Sequence, residues 1–281
     1  MNDKRIQRLL GDILLHAFLL LLVGFMVLPF FWMLTTSLKP QSEIFTKPIV
    51  WISANSNLDA YRELLFDRNI MRIVANTFII AASATILQIF FCSLGGYGFA
   101  KFRFRGREAA FGVLLGTMLV PFSIMLIPLY YIMLRLGWIN TFWPLIIPGA
   151  ASAFGIFFMR QYISTVADEL LDAARIDGAG EFRIFSQIVV PIIAPGMISL
   201  GLIFFMSSWN NFLFPLVILK TPEMFTLPIA IRSMVGSTLG RPIYHLQMAA
   251  SVISIVPLLI IFLAFQKRFV AGITSGALAG E

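Results

Sequence analysis

Six apolar runs, each long enough to cross a lipid bilayer, set the limits on what this sequence can fold into. They lie at about 11–37, 70–100, 108–135, 139–161, 191–218 and 246–266. A transmembrane helix needs about 20 mostly apolar residues to traverse a hydrocarbon core about 30 Å thick. The 281 residues would also suffice for one or two soluble domains. The composition decides against that: 59% of residues are hydrophobic and only 12% are charged, against about 25% charged in soluble domains. The expected fold is therefore an all-α integral membrane bundle of six transmembrane helices, a single domain over 1–281.

Several function classes fall away on composition. Cys92 is the only cysteine and sits inside an apolar run, so there is no disulfide framework and no cysteine-built zinc site; it reads as a small buried hydrophobe. The formal charge of +7 does not point to nucleic acid. The basic residues stand at the ends of apolar runs and form no clustered face for phosphates. Lipid headgroups and the excess of Lys and Arg on the cytoplasmic side account for them.

That excess gives an orientation. Lys4, Arg5 and Arg8 precede the first run, which is too long for a signal-peptide core and has no small-residue cleavage site after it. It reads as an uncleaved span. Lys101, Arg103, Arg105 and Arg107 crowd one short connection, and Arg160, Arg175, Arg183, Lys267 and Arg268 fall on the same side. Both termini and the 162–190 loop are expected to be cytoplasmic, with the loops 38–69 and 219–245 outside.

Ionisable side chains are scarce within the spans. Asp12, His16 and Glu108 lie at or near cytoplasmic ends and His245 at an external one. An ion-coupled carrier needs buried carboxylates or histidines, so this chain does not read as one. The polar content is uncharged: Asn76, Thr77, Ser83, Thr85 and Gln88 in the second run, and Ser207, Ser208, Asn210 and Asn211 around Trp209 in the fifth. Buried amides either join helices or face a wet path. Amides beside an indole ring suit neutral polyols, which makes Ser207, Trp209, Asn210 and Asn211 the candidate substrate path. If 210 and 211 are helical they point about 100° apart, so one is expected on the path, Asn210, and Asn211 against a neighbouring helix. Pro121, Pro128, Pro144, Pro148, Pro191, Pro195 and Pro215 mark kinks or ends of spans.

The segment Asp168 to Pro191 breaks the hydrophobic pattern with DELLDAARIDGAGEFRIFSQIVVP. Leu170, Leu171 and Ala174 suggest one amphipathic helix, Gly178 a left-handed cap, and Glu181 the start of a second helix with Phe182, Phe185 and Ile188 on its apolar face. Asp168, Asp172 and Asp177 put negative charge on a basic face, and Ala173 and Ala174 leave room for close approach. This is the pattern of a docking site for a soluble partner carrying Lys or Arg. The alternative is a solvated helix in which Asp172 pairs with Arg175 at i, i+3.

At this point the sequence resembles a known family. Asp172-Ala173-Ala174, three residues, Gly178, nine residues, then Ile188-Val189-Val190-Pro191 is similar to the EAA loop of ABC-importer permeases, whose pattern is Glu-Ala-Ala, three residues, Gly, nine residues, Ile-x-Leu-Pro. Asp172 stands for the Glu and Val190 for the Leu. Thr36-Ser37-Leu38-Lys39-Pro40 with Glu43-Ile44-Phe45 and Leu58-Asp59-Ala60-Tyr61 resembles the first external loop of the carbohydrate-uptake branch. Asn76 with Ser93 to Ala100 and Arg103, Ser208 to Leu216, and Phe269 to Ala277 resemble its second span, fifth span and C-terminal tail. Six spans without an extra N-terminal domain are similar to the smaller, maltose-permease-like second subunit.

The resemblance implies an inner-membrane permease that imports a sugar or oligosaccharide delivered by an extracytoplasmic solute-binding protein. It would pair with a second, homologous permease subunit over two ATPase subunits. ATP and magnesium would bind to those partners and no cofactor or metal to this chain, which has no phosphate-binding Gly-rich loop and is not an enzyme. Asp172, Ala173, Ala174, Asp177 and Gly178 would couple to the ATPase, and Gly236, Ser237, Thr238 and Gly240 would reach the binding protein. The competing readings are a permease for an amino acid, peptide or polyol phosphate, a non-transporting scaffold using the same loop, and a membrane-embedded enzyme. The last needs converging nucleophiles or metal ligands, and two histidines at opposite membrane faces do not supply them.

Overall fold

A computed structural model describes the backbone of residues 3–235 and 243–278, and side chains over 10–235 and 243–266. The described residues form helices, turns and loops, with no strand. The chain divides into two compact units, Met1–Ile70 with Ile231–Val256, and Met71–Ala230 with Pro257–Glu281.

The main helices are α1 (Asp3–Ser37), α2 (Ile70–Lys101), α3 (Arg107–Gly116), α4 (Phe122–Arg135), α5 (Ala153–Ser164), α6 (Asp168–Ile176), α7 (Glu181–Trp209), α8 (Leu213–Ile218), α9 (Leu227–Ser233) and α10 (Tyr244–Leu278). Among the described residues, four stretches are long and apolar enough to cross a membrane: Leu10–Ser37, Ile70–Lys101, Glu181–Trp209 and Tyr244–Gln266. A fifth forms if Arg107–Leu119 and Phe122–Arg135 count as one span bent by 96°.

Three expected spans differ from the structure. The run 108–135 is broken at residues 120 and 121, because Pro121 offers no amide hydrogen to continue the turn. The run 139–161 is a single turn, Trp143–Ile146, then irregular chain past Pro148, then α5, which Ser152 caps by accepting from the Gly155 N–H. Its hydrophobicity is that of a span, but its prolines divide it. The run 191–218 starts ten residues early, at Glu181, and ends at Trp209; a separate α8 follows.

In the first unit, the loop after α1 folds around a buried lysine. Lys39 bonds the carbonyl of Val50 and lies 4.5 Å over the Trp32 ring. Burial pushes its ammonium pKa down, and Glu43 opposes that. Glu43 accepts hydrogen bonds from Ser53 and Asn55, which hold its carboxyl below the usual range. Ser37 and Tyr61 share a 2.8 Å hydroxyl contact across the loop. These bonds use most of the polar residues of the motif over 36–61.

The second unit is centred on α2, α5, α6 and α7, whose inward residues include Cys92, Tyr97, Met159, Ile163, Leu171, Ile184, Val189 and Leu200. Apolar burial drives little association in lipid, so close backbone approach matters more. A methyl group on Gly155 would lie 2.5 Å from Cys92 Sγ and 2.6 Å from the Phe204 ring; on Gly96 it would meet Met159 at 2.6 Å. Glycine is what lets α2 and α7 come this near α5. At one end of this unit Asn76 donates to the carbonyls of Glu223 and Phe225, and Thr77 Oγ1 accepts from the Leu227 N–H. Asn140, in the left-handed region at φ 61°, accepts from the N–H groups of Lys220 and Thr221.

Candidate functional site

The 162–190 segment forms two helices joined by a tight turn. Asp168 and Glu169 sit in the first turn of α6 and Arg175 in its last, which matches the helix dipole at both ends. The helix ends in a Schellman motif. The Gly178 N–H donates to Arg175 O at 3.0 Å and the Ala179 N–H to Ala174 O at 2.9 Å, with Gly178 at φ +79°. The left-handed cap expected at Gly178 is present, and α7 begins at Glu181 as expected.

The inward face of the segment differs in part from expectation. Leu171 and Ala174 are buried, but Leu170 is exposed, since it is about 100° around the helix from Leu171. Ala174 is packed inside and is not open to a partner; Ala173 is exposed. On the second helix Ile184, Phe185 and Val189 are buried, while Phe182 is exposed. Phe185–Val189 form a π-helical turn, and the wider turn changes which residues point inward. The solvent side of the segment therefore carries three large apolar residues, Leu170, Ile176 (86% exposed) and Phe182, among Asp172, Asp177 and Arg183. A cleft of about 250 Å³ between the two helices is lined by Asp177, Arg183 and Gln187 with Ala174, Ala179 and Ile188.

A chain of polar contacts runs inward from this surface. Arg175 Nη1 donates to Asp172 Oδ1 at 2.7 Å, and Arg175 Nε donates to Glu181 Oε1 at 2.8 Å. Glu181 and then Asp172 hold the guanidinium more firmly in its charged form. Glu181 Oε2 accepts from the Tyr97 hydroxyl at 2.9 Å. Beside this chain, Lys101 Nζ donates to Asp168 Oδ1 at 2.6 Å and to Val166 O at 2.5 Å. The Lys101 contact, foremost, holds the Asp168 carboxyl below its usual range. Nearby, Arg160 grips both carboxylate oxygens of Glu108 at 2.9 and 3.1 Å and stacks over Phe111 at 3.9 Å.

Of the residues expected to form a substrate path, Ser207 and Trp209 lie in the last turn of α7, and Asn210 and Asn211 lie beyond it. Trp209 is only 1% exposed and stacks on Phe205 with centroids 5.6 Å apart. Asn210 caps α7 and Asn211 lies in the break before α8; both are exposed, as is Ser207. Asn210 Nδ2 donates to Met206 O of its own helix at 2.8 Å. The expected 100° separation on a continuous helix does not apply, because the helix has ended. Gly236, Ser237, Thr238 and Gly240 lie outside the described residues. Among the described residues no cluster of three His, Cys, Asp or Glu is placed to hold a metal ion.

Sequence reasoning does not find Tyr97, Lys101, Asp168 and Glu181 as a unit. Tyr97 and Glu181 are 84 positions apart, and only a pattern of opposite sign, basic at 101–107 and acidic at 168–181, hints at it.

The sequence profile of the family described as "Binding-protein-dependent transport system inner membrane component" matches residues 92–275. The arabinooligosaccharides transport system permease protein AraQ of Bacillus subtilis (strain 168) is 35% identical over 277 residues, covering 95% of this chain and 96% of that one. The lactose transport system permease protein LacG of Rhizobium radiobacter is 33% identical, with coverages of 95% and 96%. The sn-glycerol-3-phosphate transport system permease protein UgpE of Brucella abortus (strain 2308) is 27% identical, with coverages of 95% and 97%. In three dimensions the chain resembles a chain of a bacterial ABC transporter involved in the import of the acidic polysaccharide alginate. The TM-score is 0.80 at 23% identity, over 96% of this chain and 98% of that chain.

Proposed function

This chain belongs to the family of binding-protein-dependent transport system inner membrane components, in its carbohydrate-uptake ABC permease branch, and on that premise we propose that it imports an oligosaccharide and takes its energy through the 162–190 loop. It is a multi-pass membrane permease and not the ATP-hydrolysing component. The two units act as one permease domain of six spans, with the bent pair α3 and α4 and the broken 139–164 region completing the count. Both termini and the 162–190 loop face the cytoplasm. A homologous permease completes the path, two ATPase subunits bind ATP and magnesium, and a solute-binding protein delivers the sugar.

The observation that carries this reading is the surface of α6 and the start of α7. Three exposed apolar side chains ringed by Asp172, Asp177 and Arg183 are costly to leave in water and fit a groove that is apolar at its floor and charged at its rim. The hydrogen-bonded, left-handed turn at Gly178 sets the angle between the two helices. The grouping of contacts supports the orientation: 101–108 meets 160–181, whereas Asn76 and Asn140 meet 220–227. The sugar substrate rests on the names of the arabino-oligosaccharide and lactose relatives. The glycerol phosphate relative keeps a polyol phosphate as the second reading, since it too spans nearly the whole chain.

The test is a disulfide cross-link. Ala173→Cys in a Cys92→Ala background, in the assembled importer, is expected to couple to a cysteine placed in the surface groove of the ATPase subunit. Cross-linking of the ATPase only to other loops of this chain would overturn the reading.

A further inference from the structure

The coupling segment does not hang from the bundle by its backbone alone. Two polar contacts tie it to the last two turns of α2, one for each of its helices. Lys101, in the final turn, binds the Asp168 carboxylate at the start of α6 and the Val166 carbonyl just before it. Tyr97, one turn earlier, donates to Glu181 at the start of α7. Both groups are shielded: the Lys101 side chain is 6% exposed and Tyr97 5%. The Tyr97 ring also packs on Phe185 and Phe102, with centroids 5.3 and 5.4 Å away. Exposed ion pairs contribute little to stability, but a buried donor that loses its acceptor bears its full desolvation cost. The contacts at 97 and 101 are therefore the ones that resist being pulled apart, whereas the Asp172–Arg175 pair on the outside is free to rearrange. Glu181 joins the two regimes: its Oε2 accepts from Tyr97, and Arg175 holds Oε1 closely and Oε2 at 3.4 Å.

We propose that Tyr97 and Lys101 are positioning residues for energy coupling: they clamp the end of α2 to both helices of the 162–190 segment, so that a push on the segment moves α2 with it. The proposal rests on the reading that the ATPase docks on this segment. It adds a second route into the bundle, through α2, and names the atoms that carry it.

The experiment follows one distance in the full importer. Spin labels are placed at Glu169→Cys, on the exposed side of α6, and at Ile86→Cys, on the exposed side of α2, in the Cys92→Ala background. The distance is read without nucleotide and after trapping with ATP and vanadate. With Tyr97 and Lys101 intact it is expected to stay constant, because the labels ride on one body. In Tyr97→Phe with Lys101→Met it is expected to shift or broaden on trapping, and Lys101→Arg, which keeps the cation, is expected to behave as the parent. Should the double variant fail to assemble, Tyr97→Phe alone, which removes one oxygen, decides by the same reading. A nucleotide-dependent shift in the parent overturns the clamp, and so does a constant distance in the variant. Failure of the docking reading is seen separately, as absence of the Ala173→Cys cross-link to the ATPase.

Discussion

Arg175 reaches across the turn of the 162–190 segment to hold Asp172 at 2.7 Å and Glu181 at 2.8 Å. The acidic residue that stands first in the loop motif is thus already paired within the chain. A partner's cation at Asp172 would have to share or displace Arg175, and the exposure of both side chains leaves room for that. Asp172→Lys would set a second cation against Arg175. The expected outcome is weaker copurification of the ATPase and loss of ATP-driven uptake, with the spans still folded. Asp172→Glu, which keeps the charge, is expected to retain both. Wild-type uptake by the Lys variant would remove Asp172 from coupling.

Gly178 holds φ +79° with open space where a Cβ would stand. Substitution there is therefore a matter of backbone strain and not of collision. Gly178→Ala is expected to cost about 1 kcal/mol of local stability, and Gly178→Val more. Substrate-stimulated ATPase activity should fall in the order Gly, Ala, Val. Equal activity in all three would contradict a left-handed turn as the element that sets the angle between α6 and α7.

Gly155 presents the opposite case. An added methyl would lie within 2.6 Å of both Cys92 and Phe204, and overpacking of this kind costs about 1–3 kcal/mol. Gly155→Ala is expected to lower the melting temperature of the purified complex. In Gly155→Ala with Cys92→Ala the sulfur contact is relieved, so part of the loss should return. An unchanged melting temperature in the single variant would mean that α2, α5 and α7 do not approach this closely.

Much of the fold is legible in the amino-acid sequence. The apolar runs locate α1, α2, α7 and α10 because long hydrophobic stretches have few alternatives in a bilayer. The Gly178 turn is readable because the cap rule is local. Legibility ends where tertiary contacts or helix breaks decide. Hydrophobicity does not reveal that the 139–161 run is broken; the spacing of Pro144 and Pro148 is the signal that does. Nor does periodicity choose Leu171 over Leu170 in a nine-residue helix, or foresee the π turn that accompanies burial of Ile184 in place of Phe182. The Tyr97–Glu181 bond joins residues too far apart for any local pattern. Trp209 and the two asparagines group by adjacency, but the helix ends between them, so the ring packs inward and the amides face out.

Those amides give a prediction of their own. With α7 ended at Trp209, Asn210 and Asn211 are both exposed, and Asn210 is partly engaged with Met206 O. Asn211→Ala and Asn210→Ala are each expected to reduce oligosaccharide uptake while leaving assembly intact. The former should do so more, since the Asn210 amide is already held by the turn before it. Unchanged uptake in both would take this break out of the substrate path.

Transport itself gives the most direct test. Proteoliposomes containing this chain, its companion permease and the ATPase subunits, supplied with ATP on the ATPase side and an oligosaccharide bound by the solute-binding protein on the other, are assayed for sugar transfer across the bilayer. The expected result is ATP-dependent transfer by the complete assembly and none when this chain is omitted or carries Gly178→Val. Transfer that persists without this chain, or that proceeds without ATP, would contradict its assignment as an ATP-driven oligosaccharide permease.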